Sequence, residues 1–519
     1  MTPLEAAFER DFGAIADFIR QHADEEPARP ALADDRTEID YATLDARMDR
    51  VAAALQREGL APGDAIAVCA NASVDYAAVF LGALRAGVAV APLAPSSTAA
   101  SLARMIQDAD ARLLFLDPVG VQALGGEAGA RLPRVALEGE VPGATPLAQW
   151  LAPAGARPAP VDTQPGWPFN IIYSSGTTGE PKGIVQGHGM RWAHVKRGAV
   201  YDYGPRAVAL LSTPLYSNTT LVVFFPTLAY GGCVRLMPKF DAGRYLELAQ
   251  RHRVTHTMLV PVQYQRLMAH PDFDRFDLSA FQAKFCTSAP FGAALKADVL
   301  ERWPGGLIEF YGMTEGGGTC ILEAHRHPDK LHTVGQPAPG SDIRLIDEAG
   351  REVAPGEAGE VVGHSGGMMT GYHGQPEKTR EAEWFAPDGK RFIRTGDIGR
   401  FDAEGFLTLF DRRKDMIISG GFNIYPSDLE AVLRRHPGVA DASVIGIPSE
   451  QWGETPVGFV VLRAGAESDE DAVLQWANAQ VGKTQRLAGL RRIEELPRSA
   501  IGKVLKRELR ELWAAGSAG

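Results

Sequence analysis

Cysteine is scarce in this chain: four of its 519 residues are cysteines, Cys69, Cys233, Cys286 and Cys320. They lie far apart, none belongs to a CxxC pair, and no histidine stands near them in a ligand pattern. Structural zinc sites and disulfide frameworks need closely spaced or paired ligands, so the sequence disfavours both. The four cysteines are therefore expected to be buried free thiols.

Long apolar runs are also missing, and a secretory leader is not expected. No window of about 18 apolar residues occurs. The first stretch, MTPLEAAFERDFGAIADFIR, carries acidic residues where a secretory signal is basic. We therefore expect a cytoplasmic protein without an integral membrane segment.

Positive charge is in deficit, with 53 basic residues against 64 acidic ones and a formal net charge of −11. Attraction to nucleic acid or to an anionic membrane needs the opposite balance, so neither is an expected partner. An anionic ligand must then be bound by local basic groups. The segment from Arg486 to Arg510 is such a region, because it holds eight Arg or Lys residues against three Glu.

The chain is long and sufficiently apolar for more than one domain. With 519 residues, of which 45% are hydrophobic, it exceeds what one core organises. Near the start, TLDARMDRVAAALQREG and DYAAVFLGALRAG have helical spacing, and DAIAVCA between them fits a buried strand. This alternation predicts the α/β class, with helices packed on a largely parallel sheet.

The sequence changes character after Gly405, where charges, glycines and a helix start follow one another closely. Ser427 and Glu430 fit a capping box for the helix DLEAVLRRH, and ADASVIGI fits a following strand. We place a domain boundary near Asp411. Residues 1–411 are expected to form a large α/β domain of several subdomains, and residues 412–519 a small α+β domain.

The stretch YSSGTTGEPKG, Tyr173–Gly183, combines hydroxyl side chains, glycines and Lys182 between the expected strands FNIIY and GIVQGH. Glycines let the backbone approach an anion, hydroxyls donate hydrogen bonds to phosphate oxygens, and the lysine adds charge. The GxxxxGK[ST] pattern is not met, because Pro181 stands where that pattern needs glycine. Taken alone, the stretch fits either a phosphate-binding loop or a mobile hairpin.

This stretch is the first of five motifs that together resemble the adenylate-forming superfamily of acyl-CoA synthetases, peptide-synthetase adenylation domains and firefly luciferase. The resemblance covers essentially the whole chain. In chain order the motifs are SSGTTGEPKG at Ser174–Gly183, YGMTE at Tyr311–Glu315, TGD at Thr395–Asp397, DRRKDMIISGG at Asp411–Gly421 and LPRSAIGKVLKREL at Leu496–Leu509.

In YGMTE, an aromatic ring can lie against a purine, a hydroxyl can reach a phosphate, and a carboxylate can bind Mg²⁺. Alone, Thr314 and Glu315 would equally fit a helix cap. The resemblance implies that Tyr311 contacts adenine, Thr314 the α-phosphate and Glu315 the metal. It implies further nucleotide-binding residues at Ser174, Ser175, Gly176, Thr177, Thr178, Gly179, Lys182, Ser288, Ala289, Pro290, Glu309, Phe310 and Gly312.

The other motifs supply the ribose and the mobile domain. Asp397 fits either a turn residue or an acceptor for two ribose hydroxyls. The resemblance implies the ribose role for Asp397 with the help of Arg412, and a hinge at Lys414 about which the small domain rotates. Gly420 and Gly421 fit a tight turn and, by the same resemblance, part of the tunnel for the pantetheine of CoA.

The implied reaction has two steps and uses ATP, Mg²⁺ and CoA. The acid first becomes an acyl-adenylate with loss of pyrophosphate, and the CoA thiol then displaces AMP. Lys503 corresponds to the lysine that promotes adenylation in the family, so it should matter mainly for the first step, and Gly421 mainly for the second. Lys506 is expected to be plain surface charge.

The acyl pocket is the least determined part. Many relatives have a histidine where this chain has Ser217, so Ser217 and Asn218 fit either a hydrogen bond to a polar substrate group or a helix cap. Three consecutive glycines, Gly316–Gly318, would leave room for a ring or chain, and no arginine is evidently placed to bind a second carboxylate. Candidate pocket residues are Tyr216, Ser217, Asn218, Val260, Thr287 and Gly317.

We expect a hydrophobic carboxylic acid, of benzoate or hydroxycinnamate type. Two alternatives with the same first step stay open, a medium- or long-chain fatty acyl-CoA ligase and an enzyme that loads a carrier protein. A noncatalytic nucleotide-binding relative is disfavoured, because both Glu315 and Lys503 are present.

Overall fold

The computed structural model describes the chain apart from several short segments. These are residues 1–6, 126–131, 175–181, 413–414, 420–421, 450–451, 467–468, 483–484, 500–501 and 517–519; for residues 174, 411, 412, 422 and 423 only the backbone is described. The α/β class is confirmed, with helices and strands alternating along most of the chain.

The chain divides into two compact units. Unit 1 comprises Met1–Asp342 and Gly363–Ile393, and unit 2 comprises Ile343–Val362 and Arg394–Gly519. The boundary expected at residue 411 lies inside unit 2 and stays a prediction of the sequence. Within unit 2, residues from Ile417 to Leu509 form hydrophobic clusters of their own.

Unit 1 contains a nine-stranded sheet that is parallel in its centre and antiparallel at its edges. Its parallel strands are short and buried, as expected for strands covered on both faces. In spatial order the strands are Gln336–Pro337, Cys320–Glu323, Gly306–Tyr311, Ala283–Cys286, His256–Leu259, Val208–Leu211, Cys233–Leu236, Pro30–Ala33 and Glu38–Asp40.

A second sheet of unit 1 has eight strands, and its centre is also parallel. The strand Ala65–Cys69, which the sequence predicts, lies there with every residue buried. In spatial order the strands are Gly371–Tyr372, Lys182–Gly187, Pro168–Ser174, Ala89–Leu93, Ala65–Cys69, Ala111–Leu116, Arg134–Ala136 and Thr145–Pro146.

Helices pack on these sheets, and their starts follow the usual capping chemistry. The helix Tyr41–Arg57 begins after Asp40, whose carboxylate accepts from the Thr43 amide, and Val74–Arg85 begins after Ser73, whose hydroxyl accepts from the Tyr76 amide. The other α-helices of unit 1 are Ile15–Glu25, Ala99–Asp108, Pro118–Leu124, Leu147–Trp150, His188–Arg197, Asn218–Ala229, Ala242–Arg251, Pro261–Met268, Ala293–Arg302 and Pro376–Glu381.

Five further strands, which follow the strands of the nine-stranded sheet in chain order, form a third sheet. Arg391–Phe401 begins in unit 1, where it pairs with Glu383–Phe385, and continues in unit 2, where it pairs with Leu407–Arg412. The remaining two strands are Asp342–Ile346 and Gly359–His364.

The C-terminal part of unit 2 is an α+β arrangement. Its strands are Ile417–Ser419, Phe422–Ile424, Val439–Ser449, Gly453–Leu462 and Gly489–Arg492, and its helices are Pro426–Arg434, Glu470–Asn478 and Lys506–Ala515. The strand expected at ADASVIGI is confirmed within Val439–Ser449.

Two expectations for this region are wrong. Ser427 and Glu430 form no capping box, because Tyr425 occupies the N-cap and the Ser427 hydroxyl donates to the carbonyl of Phe410. Glu430 instead accepts from the Val444 amide at 2.9 Å, which ties the helix to its neighbouring strand.

Lys506 is also not plain surface charge. Its Nζ lies 3.1 Å from Oε1 of Glu430, and the two side chains are only 17% and 13% exposed. This ion pair links the helices Lys506–Ala515 and Pro426–Arg434, a long-range contact that local sequence does not reveal.

All four cysteines are buried and unpaired, as expected. Burial raises the pKa of Cys69 to about 12 and that of Cys233 to about 11. Among the helices in the described part of the chain, none combines the length and apolar character needed to cross a bilayer.

Candidate active site

The predicted phosphate loop connects two antiparallel strands. Pro168–Ser174 pairs with Lys182–Gly187, with Tyr173 opposite Gly183. This confirms the strands expected on either side of the loop. The predicted ligands Ser175, Gly176, Thr177, Thr178 and Gly179 lie outside the described residues, as does the side chain of Ser174.

The base of this hairpin is held by a carboxylate from another helix. The hydroxyl of Tyr173 donates to Oδ2 of Asp108 at 2.7 Å, and the Gln375 amide donates to Oδ1 at 3.2 Å. Asp108 is the last residue of the helix Ala99–Asp108. The strand that enters the loop and the segment at Gln375 are therefore tied to the same carboxylate of unit 1.

Tyr372 connects two of the predicted site residues, Lys182 and Glu315. Its hydroxyl donates to Oε1 of Glu315 at 2.9 Å, and Nζ of Lys182 lies 5.1 Å from the centre of its ring. Burial, together with the Glu315 carboxylate, raises the pKa of Tyr372, so the hydroxyl stays protonated and acts as a donor.

The backbone around Tyr372 is fixed on both sides. The amides of Thr370 and His373 donate to the carbonyls of Val185 and Gly183 at 2.9 and 2.7 Å. The amide of Met369 donates to the Glu315 carbonyl at 2.8 Å. The strand after the loop and the YGMTE segment are thus joined through one short stretch of chain.

The carboxylate of Glu315 fits a magnesium ion that binds together with a nucleotide. Mg²⁺ is commonly bound by one or two carboxylates together with substrate phosphates, not by an all-protein cage. Within the described residues no group of three or more His, Cys, Asp or Glu side chains is assembled that could hold a metal ion by itself. Of the two carboxylate oxygens of Glu315, Oε1 accepts a hydrogen bond from Tyr372, and Oε2 accepts none from the described residues. Oε2 of Glu315 is an oxygen ligand of the type that Mg²⁺ requires, and the hydroxyl of the preceding residue, Thr314, is of the type that binds a phosphate.

We expect Tyr372→Phe to weaken the apparent affinity for Mg²⁺ about fivefold, which corresponds to the roughly 1 kcal/mol that one hydrogen bond contributes. The ring, and so its contact with Lys182, is kept. The measurement is the dependence on free Mg²⁺, at fixed ATP, of the acyl-adenylate formation that the resemblance implies. Tyr245→Phe is a matched control, because it deletes one buried hydroxyl bonded to Thr257 at 2.7 Å without touching this segment. Equal Mg²⁺ dependence in all three proteins would contradict the role given to Tyr372.

Most of the predicted pocket residues follow the carboxyl ends of adjacent parallel strands. Val208–Leu211, His256–Leu259, Ala283–Cys286 and Gly306–Tyr311 are neighbours in the nine-stranded sheet. Ligands of open α/β sheets bind at this edge. The pocket residues that follow these strands are Tyr216, Ser217, Asn218, Val260 and Thr287, and the residues predicted for the nucleotide or metal that follow them are Ser288, Ala289, Pro290, Gly312, Thr314 and Glu315.

Ser217 is the N-cap of the helix Asn218–Ala229. Its hydroxyl accepts from the Thr219 amide at 3.3 Å, and the residue is 8% exposed. The helix-cap alternative therefore describes Ser217 in this structure. The Thr219 hydroxyl is in turn hydrogen-bonded to the Ser288 hydroxyl, with 2.6 Å between the two oxygens.

Ser288 has an unusual backbone conformation. Its φ is +83°, in the left-handed region that residues with a side chain rarely adopt. Such strain costs on the order of 1–3 kcal/mol and is concentrated at functional sites. Ser288 thus combines backbone strain, a hydroxyl bonded to the neighbouring helix and a place at the carboxyl edge of the sheet.

A buried cluster joins the start of the helix Asn218–Ala229 to the YGMTE segment. We call Asn170, Gln186, Arg191 and Asn218 the Arg191 cluster. Nη1 of Arg191 donates to Oδ1 of Asn218 at 2.9 Å, and Nε2 of Gln186 donates to the Thr314 carbonyl at 2.6 Å. Two residues predicted for different ligands, Asn218 and Thr314, are therefore connected through one hydrogen-bonded set.

The adenine-side residues are fixed more simply. Phe310 stacks on Phe285 with ring centres 5.4 Å apart, and Tyr311 pairs with Cys320 across the sheet. Glu309 is buried and forms an ion pair with Lys296. In this structure its carboxylate is engaged by that lysine.

The glycines after Glu315 have a different purpose from the one expected. Gly316 and Gly317 have φ of +77° and +88°, and a Cβ would overlap the Gly367 carbonyl at the first and come within 2.9 Å of the Gly363 carbonyl at the second. They allow close backbone packing, so the expectation that they leave room for a ring or chain is wrong for these two positions. A pocket role for Gly317 stays a prediction.

The remaining predicted residues belong to unit 2. Asp397 lies opposite Arg412 on neighbouring antiparallel strands and follows Gly396, whose φ is +73°. The Asp397 amide donates to the Thr395 hydroxyl at 3.0 Å. The side chain of Arg412 and the residues Lys414, Gly420 and Gly421 lie outside the described residues.

The backbone of Lys503, in unit 2, is hydrogen-bonded to Ser499. Its amide donates to the Ser499 hydroxyl at 3.2 Å, and its carbonyl accepts from the Ser499 amide at 2.8 Å. Gly502 before it has a φ of +76°, which explains the glycine in AIGK. These two hydrogen bonds tie the Lys503 backbone to Ser499.

Sequence reasoning missed Tyr372, Gln186 and Arg191. The available signal was a polar residue in an otherwise apolar strand, since Asn170 and Gln186 interrupt the strands on either side of the phosphate loop and face each other in register. Arg191 lies four residues after the end of one of these strands, Lys182–Gly187. Nothing local indicated the contact of Tyr372 with Glu315, because 56 residues separate them.

Comparison with known proteins matches two sequence families. The family described as AMP-binding enzyme matches residues 19–373, and the family described as AMP-binding enzyme C-terminal domain matches residues 428–503.

Similar curated proteins act on different acids. A feruloyl-CoA synthase from Amycolatopsis is 33% identical over 93% of this chain and 96% of its own. A fatty acid–[acyl-carrier-protein] ligase from Streptomyces coeruleorubidus is 32% identical over 96% of both chains. An indoleacetate–CoA ligase from Aromatoleum aromaticum is 31% identical over 96% of this chain and 98% of its own.

Two solved structures resemble the fold over nearly the whole chain. ATP-bound MatB from Rhodopseudomonas palustris has a TM-score of 0.86 and 31% identity, covering 96% of this chain and 99% of its own. The amide bond synthetase McbA from Marinactinospora thermotolerans has a TM-score of 0.85 and 27% identity at the same coverage.

Proposed function

Because the chain belongs to the AMP-binding enzyme family, we propose that it is an ATP-dependent acid–thiol ligase, an AMP-forming acyl-CoA synthetase. It converts a carboxylic acid and ATP to an acyl-adenylate and pyrophosphate, and then converts the acyl-adenylate and CoA to acyl-CoA and AMP. Its small-molecule requirements are ATP, Mg²⁺ and CoA. The setting we propose is the cytoplasm, where ATP and CoA are plentiful.

The observation that carries this proposal is the convergence of Lys182, Thr314 and Glu315 in unit 1. Tyr372 joins the lysine to the carboxylate, and Gln186 joins the Thr314 backbone to the helix of the predicted acyl pocket. A lysine and a hydroxyl suit the phosphates of a nucleoside triphosphate, and a carboxylate suits its metal ion, next to a bound acid. Such preorganised groups stabilise charge that develops in a transition state.

The first step is needed because a carboxylate is a poor electrophile. Attack of its oxygen on the α-phosphorus of ATP forms a P–O bond, breaks the bond to pyrophosphate, and leaves a mixed anhydride. Bound Mg²⁺ would neutralise phosphate charge there. Lys182 and the Thr314 hydroxyl are proposed to hold the phosphates, and Lys503 to stabilise the charge shared by the carboxylate and the α-phosphate.

The second step breaks the acyl–phosphate bond. The CoA thiol releases its proton to solvent, its sulfur forms the thioester bond to the acyl carbon, and AMP departs with the electrons of the broken C–O bond. Asp397 is proposed to hold the ribose hydroxyls through both steps. Gly420 and Gly421 are proposed to lie along the path of the pantetheine.

For the acid, we propose an aromatic carboxylate of benzoate, arylacetate or hydroxycinnamate type. Support comes from the relatives named for feruloyl-CoA and indoleacetate, which match this chain over nearly its full length. A second candidate is a fatty acid whose acceptor is a carrier protein, which the 32% identical fatty acid–[acyl-carrier-protein] ligase supports.

The test is product analysis by mass spectrometry with purified protein, ATP, Mg²⁺ and a panel of benzoic, cinnamic, arylacetic and fatty acids. Each acid is assayed with and without CoA. We expect an aromatic acid to give its acyl-CoA, with AMP and pyrophosphate released in equal amounts. Acyl-AMP that accumulates and does not respond to CoA would overturn the CoA assignment, and a preference for fatty acids would overturn the aromatic one.

A further inference from the structure

We propose that Asn218 binds the reacting carboxylate of the acid through its side-chain NH₂ group, and that Arg191 is the positioning residue that fixes this orientation. The inference rests on the proposed function and concerns the same site. The proposed partner of Asn218 on the substrate is an anionic carboxylate oxygen and, after adenylation, the acyl carbonyl oxygen.

The orientation of the Asn218 carboxamide follows from its two donors. Nη1 of Arg191 donates to Oδ1 at 2.9 Å, and Nε2 of Gln186 approaches the same oxygen at 3.4 Å. A guanidinium and an amide NH₂ can only donate to an oxygen, so the oxygen of Asn218 must face them. Its NH₂ group occupies the other branch of the amide and makes no hydrogen bond within the described part of the chain.

Arg191 is itself held too firmly to reach a ligand. It is 1% exposed, and its Nε and Nη2 both donate to Oδ1 of Asn170 at 3.0 Å. Nη2 also donates to Oε1 of Gln186, and the rings of Phe169 and Phe225 lie 5.7 and 5.9 Å from Cζ. Arg191 therefore acts on a ligand only through Asn218 and Gln186.

The charge of Arg191 is not balanced by the protein. All three side chains that accept from it are neutral carboxamides, and no carboxylate pairs with it in the described part of the chain. Burial without such a partner lowers the pKa of Arg191 to about 9. A buried charge lacking an opposite charge is unfavourable, so a nearby anion is favoured.

The anion is expected beside Asn218, because Asn218 is a partly exposed member of the Arg191 cluster. It also begins a helix at the carboxyl edge of the nine-stranded sheet. Gln186 extends the same set to the Thr314 carbonyl. The acid carboxylate and the α-phosphate must meet between these two points for the P–O bond to form. A guanidinium that donates to the amide oxygen also strengthens the amide NH₂ as a donor.

Asn218→Asp separates this role from a structural one. Aspartate keeps an oxygen for Arg191 and Gln186 and supplies the missing negative charge, but it replaces the NH₂ donor by a carboxylate oxygen. We expect a melting temperature at or above that of the wild type, with kcat/KM for the acid lower by on the order of 10- to 100-fold. Asn71→Asp is the charge-matched control, since Asn71 is exposed.

A double-mutant cycle tests whether Arg191 acts through Asn218. Arg191→Lys keeps the positive charge but loses the planar guanidinium, whose several N–H groups donate to Asn170, Gln186 and Asn218 at once. We therefore expect a higher KM for the acid, with the KM for ATP nearly unchanged. In the Asn218→Ala background the same substitution should no longer change KM for the acid, because the amide to be positioned is gone. Additive effects of the two substitutions would overturn the positioning role.

The outcomes distinguish this inference from the proposed function. Wild-type protein that adenylates no acid overturns the proposed function and the acyl role of Asn218 with it. Active wild type with an unchanged KM and kcat for the acid in Asn218→Asp overturns this inference alone. A clear loss of melting temperature in Asn218→Asp also overturns it, because the added carboxylate would then find no unbalanced cation.

Discussion

Lys503→Ala is expected to slow acyl-adenylate formation about 100- to 1,000-fold, the loss typical of removing one preorganised charge donor from a transition state. Thioester formation from supplied acyl-AMP and CoA should stay near the wild-type rate. The reason is that pyrophosphate leaves only in the first step, in which the charges of the acid and the phosphates come together. The two half-reactions are measured separately, by pyrophosphate exchange and by CoA-dependent consumption of synthetic acyl-AMP.

The described backbone contacts of Lys503 are compatible with alanine at this position. Its backbone hydrogen bonds to Ser499 do not involve the side chain, so alanine should leave these hydrogen bonds in place. Arg507→Ala removes one positive charge from the same segment, where the side chain is 66% exposed and contacts Glu511 at 3.6 Å. It should leave both half-reactions unchanged. Equal losses of both half-reactions in Lys503→Ala would refute the division of roles.

Glu315→Gln is expected to reduce adenylation at saturating ATP by on the order of 100-fold or more, because it removes the carboxylate charge from the proposed metal position. Glutamine has nearly the same size and keeps an oxygen for the Tyr372 hydroxyl. The fold of the segment should therefore survive. Adenylation rates over a range of Mg²⁺ concentrations give the measurement, and higher Mg²⁺ should recover only part of the activity.

Glu323→Gln serves as the matched control for this prediction. Glu323 lies on the next strand of the same sheet, and its carboxylate contacts only the exposed Arg326 among the ion pairs of the described residues, at 3.2 Å. The control should show wild-type Mg²⁺ dependence. A Glu315→Gln protein with undiminished adenylation would remove Glu315 from the metal site.

Local patterns predicted local structure well. The strands on either side of the phosphate loop, the buried strand Ala65–Cys69 and the helices Tyr41–Arg57 and Val74–Arg85 lie where periodicity places them. Periodicity succeeds here because each element buries one continuous apolar set of side chains.

The errors all concern partners that are distant in sequence. Glu430 matched a capping box by spacing, yet it bonds to a neighbouring strand and to Lys506, which no local rule could anticipate. Gly316 and Gly317 suggested open space, but their lack of a side chain is needed by a backbone segment about fifty residues further on.

The candidate site was predictable only in part for the same reason. Motif resemblance named Thr314, Glu315 and Lys182 one by one. Arg191 and Tyr372, which connect them to each other and to Asn218, occur outside those motifs or at positions without a local signature. Their contacts exist only after the two sheets of unit 1 have formed.

The buried cysteines have a practical consequence for following the rotation that the resemblance predicts for the small domain. Thiol-directed dyes react with thiolates, and burial keeps Cys69 and Cys233 protonated at neutral pH and away from solvent. Cys286 and Cys320 are fully buried as well. The natural thiols should therefore react little with such dyes, and they need not be removed before labelling. One cysteine introduced at an exposed position in each unit can then carry a donor and an acceptor fluorophore. Single-molecule energy transfer between them would follow the distance between the two labels during turnover.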